Sequence, residues 1–135
     1  MSFRHIVDAH ALIWYLESNM KLGGAAKAVL DDAASDLVLP VIALAEAAYV
    51  VSKGKTLIPD APTLLDRVER DPRFEVYPLT YEILQMSLGA TSVPEMHDRL
   101  IVASALHLQS LGQQVSILTK DTDITASALL PVVWS

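Results

Sequence analysis

The stretch that most restricts how this chain can fold lies at its start, where Phe3-Arg4-His5-Ile6-Val7-Asp8 runs directly into Ala9-His10-Ala11-Leu12-Ile13-Trp14-Tyr15-Leu16-Glu17. The first six residues form a short apolar run ending in an acid, the pattern of a buried strand. The next nine carry Ala9, Leu12, Ile13 and Leu16 on one side, the pattern of an amphipathic helix. A strand that passes at once into a helix opens a β-α-β unit, whose strands pair in parallel. In open sheets of this kind the carboxyl ends of the strands face the crevice where ligands collect. Asp8 stands at such an end.

The rest of the chain alternates in the same way. A loop at 21–24 precedes a helix predicted over 25–34, and a strand over 36–39 precedes a helix over 40–52 that begins at Pro40, where a missing N–H costs nothing. Residues 52–62 read as a loop, 63–70 as a helix, and 74–79 as a strand nearer an edge, because Pro78 cannot donate to a ladder. Thr80 caps a helix reaching residue 88. A loop at 91–96 leads to a long helix over 97–111, a strand over 115–119, a helix over 122–129 and a strand over 132–134. Strands separated by helices give right-handed crossovers and a parallel sheet, so the fold class is α/β with helices on both faces.

With 135 residues, 52% of them apolar, there is material for one full core, and a single domain over 1–135 is expected. A formal net charge of −6 excludes nucleic-acid binding through a broad basic face and confines any such contact to a local site or one helped by a cation. The absence of cysteine removes disulfides, thiolate metal sites and cysteine nucleophiles. The N-terminus has no apolar core of the signal-peptide kind. The apolar runs at 37–45 and 47–51 are broken by Pro40 and Glu46, so no segment spans a bilayer. A soluble, cytoplasmic protein without a membrane partner is the expectation.

Of the 16 acidic residues, Glu17, Asp31, Asp32, Asp66, Glu69, Asp71 and Glu82 fall on polar helix faces or at helix ends. Glu46 does not, because it interrupts Val41-Ile42-Ala43-Leu44-Ala45-Glu46-Ala47-Ala48-Tyr49-Val50-Val51, a helix that reads apolar on every side and hence buried on most of it. An unpaired carboxylate there is costly, and the nearest cation, Lys53, is seven residues on. A route to solvent at the helix edge is the structural alternative. Asp98 starts a helix, where the dipole favours an acid by ~0.3–1 kcal/mol, yet it shares a stripe with Ile101, Val102 and Ala105 and so points where the core points. Asp121 and Asp123 follow a strand as Asp8 does, with an N-cap at Asp121 or Thr122 as the equal alternative. Gathered dry in one crevice, Asp8, Glu46, Asp98 and Asp121 would repel one another. A hard divalent cation, Mg²⁺ or Mn²⁺, removes that repulsion, keeps several waters and bridges to phosphate. One or two such ions can activate a water and stabilise the leaving oxygen in phosphodiester hydrolysis.

The same residues resemble the PIN domain, and within it the ribonuclease toxins of the VapC kind, over essentially the whole chain. Ile6-Val7-Asp8-Ala9-His10-Ala11-Leu12-Ile13-Trp14 is similar to the family's first motif and Leu39-Pro40-Val41-Ile42-Ala43-Leu44-Ala45-Glu46 to its second. His97-Asp98-Arg99-Leu100-Ile101-Val102-Ala103-Ser104-Ala105 resembles the third, and Ile117-Leu118-Thr119-Lys120-Asp121 the fourth. Each motif is short; four in order and at the right spacing are specific. The resemblance implies a three-layer α/β/α fold with a central parallel sheet of four to five strands. It implies a Mg²⁺ or Mn²⁺ site made by Asp8, Glu46, Asp98 and Asp121, and endonucleolytic cleavage of RNA. It also implies a homodimer and, in the toxin branch of type II toxin–antitoxin pairs, a cognate antitoxin. Thr119 corresponds to a small hydroxylic residue that assists the site. Ala9 and Ala43 depart from the pattern, standing where hydroxylic residues are usual, which puts full activity in doubt.

Asp8 and Asp98 are assigned as direct metal ligands, and Asp121 as a further ligand or a water-mediated partner. Glu46 is assigned to orient or deprotonate the attacking water, or to bind metal. Asp123 is an accessory candidate beside Asp121. Arg99, Lys120 and Lys53 are candidates for phosphate contact. His10 and His97 adjoin two of the acids, but a hard-metal site does not need imidazole, and Trp14 and Tyr15 read as core. Asp121-Thr122-Asp123-Ile124-Thr125 matches the nucleophile motif of haloacid-dehalogenase-like phosphatases, but only ten residues follow it and that fold needs it near the start. A receiver-like regulatory module would want paired acids after the first strand, where this chain has one. A weakened PIN module acting through a partner remains the alternative to a working nuclease.

Overall fold

The computed structural model describes residues 3–135; Met1 and Ser2, the head of the segment read for signal-peptide character, lie outside the described residues. Strand β1 (Arg4–Val7) buries Ile6 and Val7 completely. It ends at Asp8, whose carboxylate accepts the Ala11 N–H at 2.8 Å and so starts helix α1 (Ala9–Leu16) without a connecting loop. Helix α2 (Gly24–Asp31) is shorter than the expected 25–34. Asp32 takes extended backbone there, and its side chain accepts the Ala34 N–H at 2.8 Å, a local turn that competes with the helix.

Strand β2 (Asp36–Pro40) leads into α3 (Val41–Ser52). That helix is buried or half-buried over most of its surface: Ala43, Leu44, Ala47 and Val51 are buried, while Val41, Ala45 and Tyr49, four residues apart, form an exposed stripe. Glu46 is half-buried between the two faces. Helix α4 (Ala61–Arg70) begins two residues before the expected 63, because Asp60 caps it through the Thr63 N–H and Pro62 occupies its first turn. Strand β3 (Phe74–Tyr77) stops at Pro78. Helices α5 (Tyr81–Ser87) and α6 (Met96–Ser110) pack against each other ahead of β4 (Val115–Leu118), all four of whose residues are buried. Helix α7 (Thr122–Ser127) ends short of 129 where Ala128 turns left-handed, with φ 54°, and β5 (Val132–Val133) closes the chain's regular structure.

All five strands are parallel, in the order β3-β2-β1-β4-β5, with helices layered on the sheet as the α/β/α expectation requires. From β1 the chain winds outward to β2 and β3, then returns to pair β4 on the other side of β1. The strand order therefore reverses between β1 and β4, the position where open parallel sheets form a crevice at their carboxyl ends. The register Val7↔Leu118 puts Asp8 beside the residues that leave β4.

Two features fix the remaining edges. At the amino ends of the strands the Arg4 guanidinium, on β1, reaches Asp36 at 3.1 Å and Gln113 at 3.0 Å and also pairs with Glu75. Near the C-terminus the Trp134 carbonyl accepts the Ala26 N–H at 3.0 Å, supplying the cap that Gly23 has no side chain to provide. This approach needs glycine, since a Cβ on Gly23 would stand 2.2 Å from the Trp134 carbonyl oxygen. No helix among the described residues is long and apolar enough to cross a membrane.

Candidate metal centre

A cavity of about 500 Å³ opens at the carboxyl ends of β1 and β4, and Asp8, Glu46, Asp98 and Asp121 all line it. Four positions far apart in sequence thus share one concavity. Asp8 is 8% exposed, and one carboxylate oxygen, Oδ1, is committed to capping α1. Asp121 repeats the device one strand over: its Oδ1 accepts the Ile124 N–H at 2.9 Å and caps α7. The cap anticipated as an alternative is therefore present, and it fixes the side chain that lines the cavity. Thr119, at 1% exposure, joins the two acids from beneath. Its hydroxyl accepts the Asp121 N–H at 3.0 Å and helps to hold down the Asp8 pKa.

Asp98 does not cap α6. That role falls to Glu95, whose carboxylate accepts the Asp98 N–H at 3.0 Å and also meets His97 Nδ1 at 2.8 Å. Asp98 lies in the first turn of α6 and lines the cavity, half-buried. Glu46 reaches the same space from the second turn of α3, which packs on α1 and α6.

The electrostatics are those of unneutralised acids. Burial pushes the Asp8 carboxyl up from its ordinary value, opposed by the Thr119 hydroxyl and the Ala11 N–H and assisted by the charge of Glu46. Asp98 is pushed up to about 7, first by burial, then by the neighbouring Asp121, with Glu95 and Glu46 adding to it. Among the described residues no cation forms an ion pair with any of the four. Nor do any three His, Cys, Asp or Glu side chains among them stand close enough together to grip an ion. The four acids nonetheless offer only oxygen donors, and no Met or Cys among the described residues lines the cavity. A small hard cation that keeps part of its water shell fits such a loose ring, whereas a dehydrated ion needing a tight cage does not.

The accessory candidates separate. Thr119 lies against two of the acids, whereas Asp123 is exposed on α7 and does not line the cavity. Arg99 turns away and donates to the Val93 carbonyl. Lys53 sits over the Tyr49 ring at 4.6 Å, away from the cavity. Lys120 lines the cavity; His10 lines it too, while His97 is held by Glu95. Ala9 is part of the wall, but Ala43 is fully buried in the core and lines nothing, so only the first departure from the family pattern borders the acids. Trp14, expected as core, is half-buried and lines the cavity, and Tyr15 is half-buried with its hydroxyl taking a bond from Arg73 at 3.3 Å. Glu95 is the wall residue that the sequence reading overlooked. Its spacing of three before Asp98, just ahead of a helix, is the N-cap spacing that identifies it.

Comparison with known proteins bears on the family and the fold. The sequence of residues 5–128 matches the family model described as the PIN domain. No curated protein sequence matches. Among solved structures the fold is similar to FitAcB from Neisseria gonorrhoeae, with 20% identity, 95% of each chain covered and a TM-score of 0.66. It is similar to FitAB bound to an IR36 DNA fragment, with 20% identity, 95% of this chain and 92% of the other covered and a TM-score of 0.63. It is also similar to Mycobacterium tuberculosis VapC20, described as a sarcin-ricin loop cleaving toxin, with 14% identity, 96% and 98% covered and a TM-score of 0.64. A five-stranded parallel sheet with acids at its switch point, and a family model matched over nearly the full sequence, lead to one conclusion: the chain belongs to the PIN domain family.

Proposed function

We propose that this protein is a Mg²⁺- or Mn²⁺-dependent endoribonuclease and the toxin of a type II toxin–antitoxin pair. The observation that carries the reading is the sharing of one cavity by Asp8, Glu46, Asp98 and Asp121, none of which is ion-paired with a cation among the described residues. Asp8 and Asp98 would hold the ion, with Asp121 as a further ligand directly or through water. A bound divalent ion would make a water nucleophilic near neutral pH and offset charge on the scissile phosphate and the leaving oxygen. Glu46, which lines the same cavity, would orient an attacking water and take its proton as the water oxygen bonds to phosphorus and the bond to the leaving ribose oxygen breaks. Thr119 positions Asp8 and Asp121.

The toxin role draws on the likeness to VapC20, and with it come a cognate antitoxin, a homodimer and a cytoplasmic site of action. Ala9 in the cavity wall favours a second reading, a PIN module that holds a partner and cuts RNA weakly or not at all. One assay separates them. The purified protein with Mg²⁺ or Mn²⁺ is expected to cut single-stranded RNA, EDTA to stop it, and Asp98→Asn to abolish cleavage with the fold intact. Cleavage by Asp98→Asn at the parent rate would overturn the site assignment. A folded parent that cuts no RNA would leave the partner-binding module.

A further inference from the structure

Past the acids, the cavity wall continues across Lys120 into a second depression of about 400 Å³, bounded by Thr125, Val132, Val133 and Trp134. Its size lies within the range of small-ligand sites, about 300–1,000 Å³. Between the two depressions stands an aromatic ledge. The Trp14 and Trp134 rings meet at 5.9 Å between centroids with a tilt of 59°. The Lys120 ammonium lies 5.5 Å from the Trp14 ring centre and that of Lys21 5.9 Å. Neither ammonium is paired with a carboxylate among the described residues, although the protein is acidic overall. Packing accounts for the buried part of each indole; it does not account for two unpaired cations on the one aromatic that also borders the acidic site. The ledge is held in place by backbone, through the Trp134 carbonyl bonded to the Ala26 N–H and seated on Gly23.

We propose that this ledge is a nucleotide subsite: it binds the residue of a single-stranded RNA next to the bond being cut, Lys120 receiving a phosphate and Trp134 stacking a base in the second depression. The assignment rests on the nuclease reading and extends it to how an acidic protein holds a polyanion. Aromatic stacking accepts any base, and one well-placed cation supplies the local contact that the net charge denies elsewhere.

The test uses the full chain with Ca²⁺ in place of Mg²⁺ and a hexauridylate RNA, whose length is checked by gel afterwards. Tryptophan fluorescence reports binding, since Trp14 and Trp134 are the only two tryptophans. Saturable quenching is expected. Trp134→Leu should bind roughly 5- to 100-fold more weakly and Trp134→Phe within about threefold of the parent. Lys120→Gln should lower the slope of log Kd against log salt by about 0.7; Lys120 is exposed, so this arm decides the matter if Trp134→Leu does not fold. Unchanged affinity and salt slope in folded variants, or no binding by the parent, overturns the subsite. Binding that follows the expected pattern while Mg²⁺ yields no cleavage supports the subsite and sinks the nuclease reading, and cleavage with unaltered variant binding does the reverse.

Discussion

Asp98→Asn should stabilise the metal-free protein by an amount that is absent at pH 4, grows as pH rises and is complete above pH 7. The carboxyl titrates at about 7 in the folded state against 3.8 unfolded, because it is buried beside Asp121. Between those values the folded state keeps a proton that the unfolded chain has lost, so stability falls as pH rises and the loss is complete above pH 7. The gap corresponds to ~4 kcal/mol for a fully buried group. Asp98 is only half-buried, and solvent screening cuts this to about 1–2 kcal/mol. Its charge in the first turn of α6 returns ~0.3–1 kcal/mol through the helix dipole. Asparagine has the same shape and leaves the Asp98 N–H bonded to Glu95, so no cavity or lost cap enters. The net gain is about 1 kcal/mol, or ~3–5 °C in Tm for a chain of this length. Melts followed by circular dichroism in EDTA from pH 4 to 8.5 measure it: the variant should match the parent at pH 4 and exceed it at pH 8. Saturating Mg²⁺ should reverse the order, since the ion stabilises only the state that binds it. A variant melting at or below the parent at pH 8 in EDTA, or a gain that persists at pH 4, refutes the reasoning.

Two further substitutions probe how the site is held. Thr119→Val removes the buried acceptor of the Asp121 N–H and should cost about 1–3 kcal/mol in urea unfolding, with RNA cleavage reduced because both flanking acids lose their support; an unchanged urea midpoint would show that Thr119 is passive. Gly23→Ala drives a methyl into the Trp134 carbonyl, and because φ at Gly23 is an ordinary −62° the whole effect, about 1–3 kcal/mol, comes from that contact. It should appear as a lower Tm with a red shift of tryptophan emission as Trp134 lifts away, and a parental spectrum would contradict it.

The order of strands and helices is legible because each strand here is a short apolar run with a capped helix beyond it. The four acids are legible for a different reason. Glu46 interrupts an apolar run and Asp98 lies on a core-facing stripe, so both conflict with their local pattern; Asp8 and Asp121 end strands and serve as ordinary helix caps, and it is their position at the strand tips that marks them. What is not legible follows from what a pattern of apolar residues omits. Val41, Ala45 and Tyr49 count as apolar, so periodicity alone could not reveal that they form an open stripe on α3 and leave Glu46 half-buried. Trp14 packs against the core as its sequence suggests, but an indole can also wall a cavity with its other edge, which hydrophobic pattern does not show. The strand order, which puts Asp8 next to the residues after β4, depends on pairings between segments over a hundred residues apart and leaves no local trace.

The Arg4 clamp carries a consequence for what happens when divalent ions run short. At the amino pole of the sheet, Arg4 ties β1 to Asp36, Glu75 and Gln113, so that hemisphere carries its own counterion in covalent form. The opposite pole would borrow its counterion from solution. Chelation should therefore loosen the molecule from one side only. Amide exchange would quicken first around Ala11, Asp98 and Ile124, while Leu37 and Phe74 stay protected. Starvation for a cation would then be felt as a fraying of the acidic rim, with the far half of the sheet still shut.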